Sequence, residues 1–226
     1  MSAGVGDAAA AFVDKWRARW PEWALAMVFV PAVQRVRVES WFALLQELTE
    51  AAWGGGDPTP GLAKLAWWQE ELSGWSKGAR RHPLGTALQP CAAPWRELGL
   101  SLPALRALRG DADAGAGVGT GGFTGMAAAH PFAGAVAACE HALFAGRAPD
   151  AAAIAAVAAT LDGERHMLRG EGAAADGAAG SAAPRPASRP RAIHAALLQA
   201  RRRAAGRAVR PLPALFAAWR GARATP

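Results

Sequence analysis

Leu65, Trp68, Leu72 and Trp75 recur three, four and three residues apart, the spacing that stacks side chains along one stripe of an α-helix. They sit inside LAKLAWWQEELSGWSKGARRHPLGTAL, residues 62–88. The spacing predicts a buried helix from about Thr59 to Lys77, with Lys64, Gln69, Glu70 and Glu71 on other faces and the acidic positions left free. Gly78 is expected to end it. After the basic pair Arg80 and Arg81, His82-Pro83 suits the first turn of a new helix. Such a stripe needs apolar partners. Nine of the ten tryptophans fall within the first 95 residues, so the densest core is expected there.

Around this helix the chain reads as a succession of others. Ala8–Arg19 is expected to be helical behind an Asp7 N-cap. Pro21 breaks it, and Glu22 to Phe29 begins a second apolar helix. Pro31 opens a long helix ending near Trp53, with Val33, Val36, Trp41, Leu44, Leu45 and Leu48 as its buried side. GGGDPTP (54–60) is a loop. His82 to Leu98 gives a helix bent around Pro90 and Pro94, and Ser101 reads as the N-cap of a helix from Leu102 to Arg109. Residues 111–122 read as a mobile loop. Two alanine-rich helices follow at 130–145 and 149–169, their packing faces poorly marked. Residues 170–190 are a flexible Gly/Ala/Pro/Arg linker. Ile193 to Arg207 is a basic helix with Ile193, Leu197 and Leu198 as its apolar side, and Leu212 to Arg220 closes the chain. No stretch alternates with period two, so the fold class is all-α. The organisation expected is a helical domain over 1–169, a linker over 170–190 and a basic helical tail over 191–226.

Charge is distributed unevenly. The chain carries +7 overall, yet ten arginines and no acidic residue follow Asp176, which leaves −3 for residues 1–176. The basic tail therefore suits an anionic membrane surface, nucleic acid phosphates, or packing on the body with its arginines outward. No base-reading motif is present, so no specific nucleic acid is expected. Cys91 and Cys139 match no metal spacing and read as reduced thiols. The opening MSAGVGDAAAAFVDKW lacks a basic start and carries Asp7 and Asp14, unlike a signal peptide. With no apolar run of spanning length, a cytoplasmic location is expected, with peripheral association at the inner face of the membrane. The glycine-rich GAGVGTGGFTG (115–125) follows no strand and lacks the G-K-[ST] ending of a phosphate loop. His130, His141, His166 and His194 show no zinc-ligand spacing, and no Ser-His-Asp pattern assembles.

The run W-W-x-E-E-L, a glycine-containing gap and R-H-P-L-x-x-A-L resembles the bacterial squalene/phytoene synthase family. The likeness is carried by Trp67, Trp68, Glu70, Glu71, Leu72, His82, Pro83, Ala87 and Leu88. Phe29-x-Pro31 followed by Arg35 and the helix Trp41 to Leu48 is similar to an early segment of that family. Arg210-Pro-Leu-Pro213 with Trp219 is similar to the tail of its short bacterial members. The resemblance covers roughly residues 10–110 well and the remainder poorly, and it implies a shortened helical isoprenoid-synthase bundle. It also implies prenyl diphosphate or another isoprenoid as ligand and, in active members, Mg²⁺ held by two aspartate-rich motifs. Carboxylates one helical turn apart can share metal ions that draw charge from a leaving diphosphate.

Those motifs are altered here. The first should fall on the helix Trp41 to Trp53, which contains no aspartate. Glu47 and Glu50 share a face there, with Glu39 upstream, as substitutes for the metal ligands or as a solvated acidic face; the solvated face is the favoured reading. The second falls on Leu161-Asp-Gly-Glu-Arg-His-Met-Leu-Arg-Gly170, where Asp162 and Glu164 are metal candidates and Gly163 weakens the helix. Arg80, Arg81 and Arg165 are the candidates for a diphosphate, with solvated loop charges as the equal reading of Arg80 and Arg81. His82 reads as a packing or helix-entry residue rather than a base. The expectation is a non-catalytic relative with a binding, assembly or scaffold role and a protein partner, as in the respiratory-complex assembly factors that the broad family is similar to. The alternative is an active Mg²⁺-dependent head-to-head prenyltransferase of isoprenoid biosynthesis.

Overall fold

The computed structural model describes residues 3–107, 131–144, 148–169 and 186–224. All regular structure among them is helical, and the chain groups into two compact units, Met1–Pro21 with Pro31–Val118, and Glu22–Val30 with Gly119–Pro226. This grouping cuts across the expected division at residue 169. The 111–122 stretch, the 115–125 run, His130 and most of the 170–190 segment lie outside the described residues.

The first unit is built from α1 (Ala3–Arg19), α3 (Arg35–Trp53), α4 (Thr59–Trp75), α5 (Gly85–Leu88), α6 (Trp95–Leu100) and a helical stretch over 102–107. Helix α3 packs against α1, α4 and α5, and α4 packs against α6. The expected stripe is buried: Leu65, Trp68, Leu72 and Trp75 line the core with Trp16, Trp41, Leu44, Leu48 and Trp95. Its indoles form a chain of contacts. Trp68 meets Trp75 at 6.4 Å and 86°, Trp75 meets Trp95 at 5.1 Å and 83°, and Trp95 meets Trp41 at 6.2 Å. Near-perpendicular rings set electropositive edges against electronegative faces, the geometry such pairs prefer. The buried Nε1 of Trp53 donates to the Leu105 carbonyl and that of Trp95 to the Cys91 carbonyl, both at 3.1 Å. Helices α3 and α4 cross closely, since a Cβ on Gly61 would lie 2.1 Å from the Ala51 carbonyl oxygen.

Gly78 stops α4 as expected. At φ +82° it lets the Ala79 amide reach the Gly74 carbonyl and its own amide reach that of Trp75, a Schellman closure. Other boundaries differ. Helix α1 already runs from Ala3, so Asp7 lies within it rather than capping it. The segment after Pro31 starts as a 3-10 turn, Ala32–Gln34, and the buried face begins only at Val38. Val33 and Val36 are consequently exposed, at 88% and 67%. Pro90 and Pro94 separate two short helices instead of bending one. Ser101 ends α6 and donates its hydroxyl back to the Leu98 carbonyl at 2.7 Å, so it is not an N-cap.

The second unit contains α2 (Trp23–Ala26) with a 3-10 turn at Met27–Phe29, α7 (Pro131–Phe144), α8 (Ala151–Arg169), α9 (Arg189–Arg203) and α10 (Pro211–Arg223). Helix α7 packs on α8, α8 on α9, α9 on α10, and α10 on α2. Ile193, Leu197 and Leu198 form the buried side of α9, as their spacing requires. The helix starts four residues earlier than expected because Ser188 caps it, accepting from the Arg191 amide at 3.3 Å. Gly163 serves packing: a Cβ there would meet Leu198 Cδ2 at 2.8 Å. Gly221 serves it too, since a Cβ would lie 2.6 Å from the Ala192 carbonyl oxygen.

Helix α9 closes with Ala205, not a glycine, in the left-handed position at φ +53°. Its amide bonds the Arg202 carbonyl, and the Gly206 amide bonds that of Arg201. A Cβ in this conformation crowds the following carbonyl. Ala205→Gly is therefore expected to stabilise the chain by about 0.5–1 kcal/mol, seen as a higher urea midpoint at unchanged slope.

Candidate functional site

In the first unit two buried carboxylates, Glu47 and Glu71, gather donors around them. Glu47, on the buried side of α3, is 4% exposed. Its Oε1 accepts from Lys15 Nζ of α1 at 2.7 Å, and its Oε2 accepts from Lys64 Nζ of α4. Glu50, one turn on, accepts from the same Lys15 at 2.5 Å. Glu39 pairs with Arg17 at 2.6 Å. Burial pushes the Glu47 carboxyl up, but the two lysines outweigh it and hold the group below the usual carboxylate range. Burial likewise works against the Lys15 ammonium, and Glu47 and Glu50 overcome it, raising its pKa. Glu47 is thus no solvated face; it is a buried anion enclosed by cations.

Glu71 corrects the sequence expectation more sharply, being 2% exposed rather than free. Its Oε1 accepts from Trp75 Nε1 at 2.8 Å and from the amides of Arg81 and His82, each at 2.7 Å. Its Oε2 takes Arg81 Nε at 3.0 Å. One carboxylate so fixes the turn that follows α4. Arg81, itself exposed, also reaches Glu70 at 3.9 Å and lies 5.4 Å over the Trp67 ring, while exposed Arg80 donates to Gln89 at 3.2 Å.

His82 sits between the rings of Phe12 and Trp68, each at 4.5 Å, with Trp67 at 5.8 Å. Its Nδ1 accepts from the Leu84 amide at 3.2 Å, which places the proton of the neutral ring on Nε2. Burial pushes its pKa down to about 4, against the pull of the Glu47 and Glu71 carboxylates and with help from Lys64. An unfolded histidine binds its proton near pH 6.5, whereas the folded ring resists until about pH 4. Stability therefore falls as pH drops through that window. About 2 kcal/mol is expected to be lost between pH 7 and pH 5. Urea titrations at both pH values should show this, and His82→Gln should remove most of the difference.

In the second unit, Asp162 Oδ1 accepts from Arg165 at 3.1 Å, and its Oδ2 lies 3.6 Å from His166 Nδ1. Glu164 meets His194 Nε2 at 2.7 Å, and His194 Nδ1 accepts from Trp23 Nε1 at 3.2 Å. The indole proton on Nδ1 fixes the tautomer, so Nε2 is the donor to Glu164. Two further carboxylates are buried here. Glu140 takes Arg191 Nε at 2.9 Å and Ser188 Oγ at 3.1 Å; Glu22 takes Arg201 at 2.6 Å and the Val209 amide at 2.8 Å.

No protein-family model, curated protein or solved structure matches this chain.

The metal candidates thus fall into two pairs in different units, Glu47 with Glu50 and Asp162 with Glu164, and basic side chains hold all four. Magnesium needs several hard oxygens free to converge. At Glu47 it would have to displace two ammonium groups that already occupy both oxygens, so this donor set does not fit the ion. Among the described residues no three of His, Cys, Asp and Glu gather into a group able to hold a metal. Sequence reasoning missed Lys15, which lies 32 residues from Glu47, and the Trp23–His194 contact across 171 residues. Neither separation leaves a local signal.

Proposed function

We propose that this chain is a non-catalytic helical relative of the squalene/phytoene synthases with a binding, assembly or scaffold role. The observation that carries this reading is the enclosure of Glu47 by Lys15 and Lys64. A synthase needs carboxylates that repel one another until metal ions bind between them. Here cations of the chain already perform that neutralisation, and the same side chains that would feed a metal cluster instead pin α1, α3 and α4 together. Arg81, one of the three diphosphate candidates, already holds Glu71 through its Nε. His82 is held neutral in an aromatic surround, which supports a packing role.

Purified chain incubated with Mg²⁺ and farnesyl or geranylgeranyl diphosphate is expected to release no diphosphate. Robust release, abolished by Glu47→Ala or Asp162→Ala in variants that keep the wild-type unfolding curve, would overturn this reading.

A further inference from the structure

Helix α10 is turned inside out. Ala214, Ala217, Ala218 and Gly221 face inward, and Gly221 lets the α9 backbone come close. Leu212, Leu215, Phe216 and Trp219 lie on the opposite side and are 78%, 36%, 58% and 39% exposed. At about 100° per residue these four fall on one continuous stripe, centred opposite the buried alanines. A globular helix normally hides its large apolar side chains and shows its small or polar ones. Leu25 and Val28, on the segment that packs against α10, are exposed as well.

The charge around the stripe is of one sign. Residues 186–224 contain nine arginines and no acidic residue; Arg191 and Arg201 are buried on Glu140 and Glu22, and the other seven are exposed. Arg220 lies 5.5 Å over the Phe216 ring and Arg223 5.1 Å over the Trp219 ring. Each guanidinium therefore flanks an aromatic at the border of the stripe. Aromatic and leucine side chains on one face with arginines alongside match the boundary between acyl chains and headgroups. Pairing two copies through this face would bring like charges together, which disfavours a second chain as the occupant.

We infer that α10 docks this protein on an anionic bilayer surface, with Leu212, Leu215, Phe216 and Trp219 entering the interface and Arg210, Arg220 and Arg223 meeting lipid phosphates. The inference is independent of whether the chain has catalytic activity. Within the basic tail it places the membrane contact on α10 rather than on α9, whose apolar side is buried.

Vesicle flotation of the full chain tests it. Vesicles of phosphatidylcholine doped with phosphatidylglycerol should retain the protein at least about tenfold more strongly than phosphatidylcholine alone, with loss at high salt. Phe216→Ser with Trp219→Ser, and separately Arg220→Glu with Arg223→Glu, should each weaken retention by about tenfold or more. All four positions are exposed, and unchanged thermal unfolding would show that the fold is kept. Equal retention of wild type and both variants would overturn the inference. So would absent retention, and sedimentation showing self-association that the serine pair abolishes would then identify a second copy as the occupant.

Discussion

Glu71→Ala should destabilise the protein by about 3–5 kcal/mol, because it strands the buried Trp75 indole donor and two part-buried backbone amides and leaves Arg81 without its partner. The Trp75 indole and the amides of Arg81 and His82 all converge on one oxygen of this carboxylate. Alanine removes their acceptor and leaves a cavity beside the tryptophan stripe. Glu71→Gln keeps an acceptor oxygen but turns an amide donor toward Arg81 Nε, so a smaller loss of about 1–3 kcal/mol is expected. Burial raises the Glu71 carboxyl, yet the His82 and Arg81 amides, Trp75 and the Arg81 side chain outweigh it and keep its pKa low. Its contribution is therefore present above the ordinary carboxylate pKa and disappears as pH falls through the lower folded value. Urea unfolding at neutral pH decides the matter; a loss under about 1 kcal/mol for the alanine variant would show that the turn after α4 does not depend on this group.

The second large effect is expected at Arg191, which is fully buried against Glu140. Arg191→Met should cost about 3–5 kcal/mol, since it removes the guanidinium from a carboxylate that remains in the core. Combining it with Glu140→Leu removes both charges, and the double variant should recover most of that loss. Ser188 would keep its bond to the backbone amide of residue 191 and so retain the helix cap. If the double variant is no more stable than Arg191→Met alone, the cost comes from lost packing rather than an uncompensated charge. A denaturant series on the three proteins separates the two.

Much of the first unit could be read from its residues. Tryptophan and leucine at helical spacing mark a core face without ambiguity, and Gly78 is a terminator because only glycine takes its conformation cheaply. Glu71 was legible in retrospect: it stands three residues after Trp68 and four before Trp75, on the edge of the buried stripe. Its partners come from the next turn, and nothing in a helical pattern reveals them. Val33 and Val36 fit the periodicity of α3, but the pattern cannot tell that the burying neighbours begin only at Val38. Helices α7 and α8 are legible in the sequence while their packing faces are not, because alanine is compatible with either side of a helix. In α10 the pattern points the wrong way, since periodicity assigns the large apolar residues to the interior. The candidate site was least legible, because charge partners such as Lys15 and Glu47 are set by tertiary packing.

The linked indoles of the first unit also give the molecule an optical character. Trp68, Trp75, Trp95 and Trp41 stand close enough for an excitation on one ring to migrate to the next. Light absorbed there should re-emerge depolarised and shifted to the blue, whereas half-exposed Trp219 emits into water and is open to quenchers. Among its ten tryptophans the protein thus carries a linked set that reports the melting of its first unit and one, Trp219, that reports whatever settles on its last helix.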